Sequence, residues 1–511
     1  MNPSSRLLSS AVLASLVASA PFAALGADDQ AATIAALLKR IEELEHKVAN
    51  LEHPSSTASA STSSTSSSKT DAAVQDLQQQ VKVLKRQNEL STEAAAEKAQ
   101  TAPVVSIGAQ GFQVRSADTN FVFKLRGLVQ ADTRWLINNG GGTPAETFLL
   151  RRARLISEGT FFRDFDYQLV TEFGGGSATA QSPTILDANV SYRVSPALSL
   201  KAGKFKSPVG LEVLQSDRDR SFIESALPSQ LIPNRDIGFQ ASGDFFDGRL
   251  SYAAGVFNGS SDATSANNTD IEGKKEFAGR VFSHPFATSS NEWIQGLGVG
   301  LGGSYGNAET ASNLPNGGRG TYVSDSQQAW FTYKSGIAGD TTGVVTDGPH
   351  WRLSPQGYYY FRSFGVLGEY AVSDQRYRAG NGTAANPFKF AYLDNTAWQV
   401  AVSYVLTGEA SSYKSVTPRH NLNPAEGNWG AFEVVARYSE LDIDSAAFGT
   451  FADPTKSPHA AHAVTVGLNW YPNRIFRASV NYTLTDYDGG NGATGDKRSE
   501  NLILTRFQVA F

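Results

Sequence analysis

The 511 residues include no cysteine and a single methionine. Without a thiol the chain forms no disulfide, attacks no substrate through sulfur and offers no thiolate to a metal. Beyond the first twenty-five residues there is no run of the ~20 apolar side chains that a membrane-spanning helix needs. A basic surplus is missing too. The 44 Lys and Arg stand against 49 Asp and Glu, a net charge of −5, which excludes a broad cationic face for nucleic acid. Any anion chemistry must therefore be local. Histidines are few: His46 and His53 fall in a helical region, His350, His420, His459 and His462 in or near connections, and His284 ends a strand. No His-Glu-x-x-His zinc motif occurs, and an enzyme built into a membrane barrel would need a nucleophile and base together. No enzyme and no cofactor is expected.

What is present sorts into regions. Residues 1–6 form a short basic start, residues 7–25 are small and apolar, and Ala24-Leu25-Gly26 precedes Ala27 as a small-x-small cleavage site. Serines, Pro21 and the following Asp28-Asp29 disfavour a retained anchor, so residues 1–26 are expected to be a cleaved secretory signal. In residues 27–53, Ile34, Leu37, Ile41, Leu44, Val48 and Leu51 recur at alternating steps of three and four. That is a heptad seam. A Ser/Thr-rich linker, 54–70, has too few apolar groups to fold. The seam resumes in 71–100 with Val74, Leu77, Val81, Leu84 and a polar Asn88. A coiled coil is expected, with an amphipathic helix packed on its own domain as the alternative.

From about residue 104 the period changes from 3.5 to 2. Phe121, Phe123, Leu125, Val129 and Trp135 alternate with Lys124, Arg126, Gln130, Asp132 and Arg134. Phe165, Tyr167, Leu169 and Phe173 alternate with Asp166, Gln168 and Glu172. The chain ends the same way: Ile503, Thr505, Phe507, Val509 and Phe511 share one face, and Leu504, Arg506 and Gln508 the other. Segments of ten to sixteen residues that are apolar on one face and charged on the other suit a tilted strand between lipid and water. Lipid tolerates no open sheet edge, so the strands must close. With 47 glycines and 54 aromatic residues, residues 101–511 are predicted to be an all-β transmembrane barrel.

Connections alternate in length. Short ones such as Arg163-Asp164, Ser195-Pro196, Asp247-Gly248 and Tyr471-Pro472-Asn473 separate long polar stretches at 137–147, 174–183, 206–236, 259–273, 307–350, 375–393, 441–459 and 488–499. The count is sixteen antiparallel strands. Two joints fit less well: residues 327–333 could form a further strand, and 409–427 is long for a periplasmic turn.

Two basic clusters are the candidate anion path. Period two puts Arg152 and Arg154 with Glu158 on the luminal face and turns Arg151 to the other face, at the headgroup rim. The second cluster, Lys201, Lys204 and Lys206-Ser207-Pro208, leads into Asp217-Arg218-Asp219-Arg220. It opens a loop, about 206–236, that Leu211, Val213 and Leu214 could fold inward. Arginine offers a planar fork to oxyanions and lysine a point charge. Conduction also requires release, so Lys124, Arg126, Arg134 and Arg193 could extend a ladder of moderate sites. A general porin with a weak transverse field reads from the same residues.

Several motifs together resemble the phosphate-selective porins O and P. They are Leu125-Arg126-Gly127, Arg151-Arg152-Ala153-Arg154, the run from Gly203 to Glu212, Ser354-Pro355-Gln356, Gly368-Glu369-Tyr370, the run from Ser403 to Glu409, and Asn469-Trp470-Tyr471-Pro472-Asn473. The resemblance spans roughly residues 105–511. It implies a Gram-negative outer-membrane homotrimer of sixteen-stranded barrels, with the N-terminal coiled coil in the periplasm. It also implies a constricting third loop, passage of phosphate or polyphosphate, and recognition of Phe511 by the barrel-assembly machinery. Arg152 and Arg154 match the family's second-strand arginines. Asp187 resembles its acidic residue among anion ligands, and Lys204, Lys206 and Ser207 lie in the matched loop motif. Arg218 and Arg220 are candidates by chemistry. Residues 101–511 carry 35 basic against 38 acidic side chains, a departure that keeps general passage of small hydrophilic solutes open. A tether role for the coiled coil can coexist with transport.

Overall fold

The computed structural model describes Lys39 and residues 67–511, apart from 140–145, 175–182, 263, 266–272, 309–319, 335–342 and 493–494. The expected signal, the first coiled-coil segment and most of the linker lie outside the described residues. Two units separate, at residues 1–102 and 103–511. In the first, one helix covers Ser67–Thr101 and takes in the end of the expected linker. On it Val74, Leu77, Val81, Leu84 and Asn88 are less exposed than their neighbours. Among the described residues, no helix is long and apolar enough to cross a membrane.

The second unit is a closed antiparallel barrel of sixteen strands. They are β1 Val122–Asn139, β2 Thr147–Phe161, β3 Phe165–Glu172, β4 Thr184–Ser195, β5 Leu198–Lys206, β6 Arg235–Phe245, β7 Leu250–Phe257 and β8 Glu276–Ser283. The circuit continues with β9 Leu297–Ala308, β10 Val345–Phe361, β11 Phe364–Ala379, β12 Lys389–Val405, β13 Ala431–Asp442, β14 Ala460–Tyr471, β15 Phe476–Asp488 and β16 Glu500–Ala510. Each strand pairs with its sequence neighbours, and β16 closes on β1 from Glu500↔Asn139 to Ala510↔Leu128. A hairpin, Val104–Gly108 and Gly111–Arg115, prolongs the sheet below β16 by pairing with the start of β1. Phe511 exchanges both backbone hydrogen bonds with Gly127 at that seam. A Cβ on Gly127 would lie 2.6 Å from the Phe511 ring, so only glycine lets the terminal ring lie flat on β1.

Alternation decides which face meets lipid. On β16, Arg506, Gln508 and Leu504 are buried inward while Phe507 is half exposed outside. On β13, Glu433, Arg437 and Ser439 point in, and Phe432, Val434 and Tyr438 point out. Aromatic pairs mark the outer wall at the end with the short turns: Phe121 with Phe162, Phe165 with Tyr192, and Phe432 with Trp470.

The strands run from eight to eighteen residues, a wider range than the sequence suggests. Connection 375–393 shrinks to 380–388, because β11 and β12 continue above the apolar band, pairing Arg378 with Phe390 and Asp374 with Asp394. Residues Ala329–Thr332 are indeed extended. They pair with Thr321–Val323 as a separate ribbon, not with the barrel. The long turn is real as well: 406–430 joins β12 to β13 at the short-turn end.

The inside of the barrel is not only wet. Val209, Val213, Leu227, Leu231 and Ile232 of the loop between β5 and β6 share one apolar cluster with Tyr322, Trp330 and Phe331 of the ribbon. The cluster also takes in Tyr377, Leu393 and Leu441 from the strands. Loops that turn into a barrel need an apolar surface to bury against, so the inward faces of β11 to β13 become apolar there. This was not legible in the period-two pattern, which assigns one chemistry to each face.

Gly302 on β9 marks where the loop rests: a Cβ there would stand 2.0 Å from the Val209 carbonyl oxygen. Gly302→Val should therefore push the loop off the wall and raise single-channel conductance. The barrel should keep its heat-modifiable migration on a denaturing gel. Unchanged conductance would show that the loop does not depend on this contact.

Candidate functional site

The loop between β5 and β6, 207–234, crosses the lumen and is held at both ends and in the middle. The one-turn helix Leu211–Leu214 presents its first amides to Glu369, which accepts from Leu211 N at 2.7 Å and Glu212 N at 3.2 Å. Glu212 in turn accepts from Ala226 N and from Gln399. Wall arginines bind loop carbonyls: Arg437 donates to Glu224 O at 3.0 Å and Arg477 to Arg220 O at 2.7 Å. Arg506 forms a bidentate pair with Asp132, both oxygens at 2.7 Å, and both residues are buried. Tyr413, from the long turn 406–430, donates its hydroxyl to Leu211 O at 2.6 Å and accepts from Gln215 through its carbonyl at 2.7 Å. The loop is thus gripped from the wall and from the short-turn end.

What stays open lies against β1 to β6. A cavity of about 1320 Å³ opens at the short-turn end, lined by Lys124, Arg126, Asp187, Arg193, Lys201, Lys206, Arg218 and Arg280 among others. A second, of about 550 Å³, opens towards the long loops, lined by Arg151, Arg152, Glu172, Arg220, Glu224 and Asp325. Three residues line both: Arg154, Asp217 and Arg235. They mark the overlap of the two linings.

Around it, charge is dense and paired. Asp217 receives Arg152 at 3.3 Å, Arg220 at 2.9 Å, and Arg154 through a short hydrogen bond. Arg154 also donates to Glu172 at 2.6 Å, and Arg235 donates Nε to both Asp187 oxygens at 3.1 Å. Lys206 donates Nζ to Gln215 O at 2.7 Å. Burial alone would raise the Asp217 carboxyl, but Arg152, Arg220 and Arg154 outweigh it and hold it well below the usual range. Glu224 is governed the same way: burial raises it, and Arg151, by charge and hydrogen bond, brings it far down. At Asp219 burial outweighs the more distant Arg218, Arg477, Arg126 and Lys414 and raises the carboxyl. Asp217 and Glu224 are therefore ionised at neutral pH. Among Arg152, Arg154, Arg220, Arg235 and Lys206 against Asp217, Glu172 and Asp187, positive charge is in excess.

A family model for phosphate-selective porin O and P matches residues 123–511. The chain belongs to that family. It is an outer-membrane porin of a Gram-negative bacterium, a channel by family. Porin O of Pseudomonas aeruginosa is similar at 24% identity, covering 78% of this chain and 91% of that protein. The outer membrane channel DcaP of Acinetobacter baumannii is similar in structure, with a TM-score of 0.48, 12% identity, and coverage of 78% and 99%. An anion-selective porin from Comamonas acidovorans gives 0.47 and 12%, over 76% and 100%.

The porin brings Arg152, Arg154, Arg220 and Lys206 together around Asp217, with Asp187 reached through Arg235. Lys124, Arg126 and Arg218 line the wider cavity at the short-turn end, Arg126 paired with Glu158 at 3.0 Å. Ser207 is buried and lines neither cavity; its amide bonds Asn234 O at 2.9 Å. Lys204 also lines neither cavity. It pairs with Ala188 and Ile237, opposite in phase to Lys201 and Phe205, which line the lower cavity together with Lys206 at the strand end. Arg134 is inside but bound to Glu224 at 3.3 Å.

Arg151 is a correction. A bulge between Gln130 and Ala131 lets β1 skip it in the register, Gln130↔Arg152 being followed by Ala131↔Leu150. The extra residue swings Arg151 inward, where Nε and Nη2 meet Glu224 at 2.9 and 3.1 Å. Strict period two cannot foresee this. Arg235 was missed in sequence because the loop after Glu212 has no internal period to count along. Arg437 and Arg477 are inward by alternation but bind the loop. His350 and His462 lie within β10 and β14, close to the connections before them, and His350 meets Ser373 at 2.9 Å inside the barrel. A Gly-x-Ser-x-Gly spacing at Gly302–Gly306 also escaped the sequence reading. It runs straight along β9 with Ser304 paired across to Arg352, without the strand-to-helix turn that exposes a nucleophile.

Glu369 clamps the start of the loop. Glu369→Ala strips the acceptor from two buried amides, each costing about 1–3 kcal/mol when unsatisfied. The expected result is a noisier and larger single-channel current from a barrel that still assembles; a quiet current of wild-type size would refute the clamp.

Proposed function

We propose that this porin is an anion-selective channel for phosphate-type oxyanions, constricted by the loop 207–234. The observation that carries it is the charge at this overlap. Arg154 and Arg235 stand where the two linings meet, Arg152, Arg220 and Lys206 stand beside them, and three carboxylates oppose these five bases. In a narrow space with little water each of these charges acts more strongly than in bulk. Arg126, Arg193, Arg218 and Lys124 in the lower cavity give an entering or leaving anion further moderate stops.

A second reading is favoured by the pairing itself. Arg126, Arg154, Arg193 and Arg235 each have a carboxylate partner within 3.0 Å or little more. A lumen so neutralised fits a general porin with weak anion preference. The preferred chain length of a phosphate solute is left open by both.

The assembly is proposed as a homotrimer in outer-membrane lipid, with Phe511 read by the barrel-assembly machinery, as the family resemblance implies. The signal and coiled-coil segments are proposed as an export signal and a periplasmic tether. Deleting residues 27–100 should leave single-channel conductance within about twofold of wild type if the helix only tethers. Loss of the current on deletion would give that segment a part in the pore.

Reversal potentials in a potassium chloride gradient decide the main reading: an anion preference is expected, and a cation preference ends it. Chloride current should also be blocked by millimolar or lower inorganic phosphate. Arg152→Ala and Lys206→Ala should each weaken that block by about tenfold or more, the loss of one charge-assisted hydrogen bond. Equal block in both variants would remove these residues from the site.

A further inference from the structure

Three guanidinium groups converge on one carboxylate where the linings of the two cavities meet, and that carboxylate belongs to the loop. Asp217 Oδ1 takes Arg152 at 3.3 Å and Arg220 at 2.9 Å, and Oδ2 takes Arg154. It lines both cavities, so a solute in either one meets its side chain. We infer that Asp217 is a tethered competitor. Its carboxylate occupies the three-arginine site between passages and is displaced by each tetrahedral oxyanion, which sets how tightly the site holds its solute. This deepens the anion-channel reading and rests on it.

Each arginine keeps a second partner that would hold it in place once the carboxylate moves. Arg152 donates to Gln130 Oε1 at 2.8 Å, Arg154 to Glu172 Oε2 at 2.6 Å, and Arg220 to Ser225 through a short hydrogen bond. The donors aimed at Asp217 are therefore the ones a solute would inherit. The backbone on either side of the carboxylate is pinned as well. Gln130 Nε2 donates to Asp217 O at 3.0 Å, Lys206 holds Gln215 O, and Arg477 holds Arg220 O. Only the two side-chain torsions of Asp217 are left to move. A carboxylate offers two acceptor oxygens, while a phosphate-type anion offers more acceptors to the same forks. The tethered group compensates by its high local concentration. Exchange between the two turns a deep well into one shallow enough to leave, which conduction requires. Asp219, two residues on, stands 4.0 Å from Arg218 instead of at a convergence of three guanidinium groups and cannot play this part.

The test is Asp217→Asn in the full chain, reconstituted in planar bilayers, with chloride current titrated by inorganic phosphate. Neutral asparagine keeps the shape but cannot compete as an anion. The phosphate concentration for half block should fall on the order of tenfold, with longer blocked intervals and a smaller chloride conductance. Asp217→Glu, which restores the charge, should bring the block back towards wild type. Unchanged or weaker block in Asp217→Asn overturns the inference. If that weaker block comes with a larger conductance, the carboxylate is a strut for the loop. Wild-type reversal potentials read in the same membranes separate the two levels. A cation-preferring wild type overturns the anion reading and this inference together, whereas an anion-preferring wild type with no tightening in Asp217→Asn overturns only the inference.

Discussion

Glu369 receives the amides of Leu211 and Glu212, Arg437 and Arg477 take the carbonyls of Glu224 and Arg220, and Gln130 takes that of Asp217. Through these bonds a loop of twenty-eight residues, 207–234, lies across a barrel whose wall would otherwise enclose an open lumen. Most of what distinguishes this porin follows from that grip. A loop backbone taken out of bulk water needs its amides and carbonyls answered, and the wall supplies answers with charged and amide side chains. Buried carboxylates and guanidinium groups act here as fixed acceptors and donors, which is why so many of the inward charges are not free to meet a solute.

The grip also divides the lumen. On the side of β9 to β15 the loop, the ribbon Thr321–Val323 with Ala329–Thr332, and the turn 406–430 fill the interior, and they do so with apolar side chains such as Leu231, Trp330 and Phe331. On the side of β1 to β6 the lining is polar and open. Arg151, Arg152 and Arg154 on β2, Lys201 and Lys206 on β5 and Arg235 on β6 line this open half, so the lining is one-sided. Arginines of similar inward phase on β13 and β15 have become struts, and Arg506 on β16 is taken up by Asp132 of the wall. The difference between a strut and a lining group is whether loop atoms or solvent stand in front of the guanidinium.

Much of this was legible beforehand, and the reasons differ by residue. Arg152 and Arg154 were placed inside by parity alone, since a charge facing lipid costs several kcal/mol near the midplane. Arg220 was proposed by chemistry and does meet Asp217. Arg151 defeated the parity argument because a bulge inserts one residue without leaving a trace in the apolar pattern. Lys204 and Ser207 were named for their motif, and the strand phase and the loop's first hydrogen bond take them off the path. Arg235 went unnamed because it lies at the far end of an aperiodic loop, where counting from either side gives no phase.

The sequence by itself determined the wall. Period-two alternation, aromatic ends and connections of alternating length are local properties, and in lipid they admit one solution, a closed antiparallel barrel whose charged face turns inward. Only the tertiary structure decided the interior. Which arginines serve the path and which hold the loop depends on contacts between residues as far apart as Arg477 and Arg220, or Arg437 and Glu224. Such pairings arise from where a long loop comes to rest, and no regular repeat along the chain encodes that position.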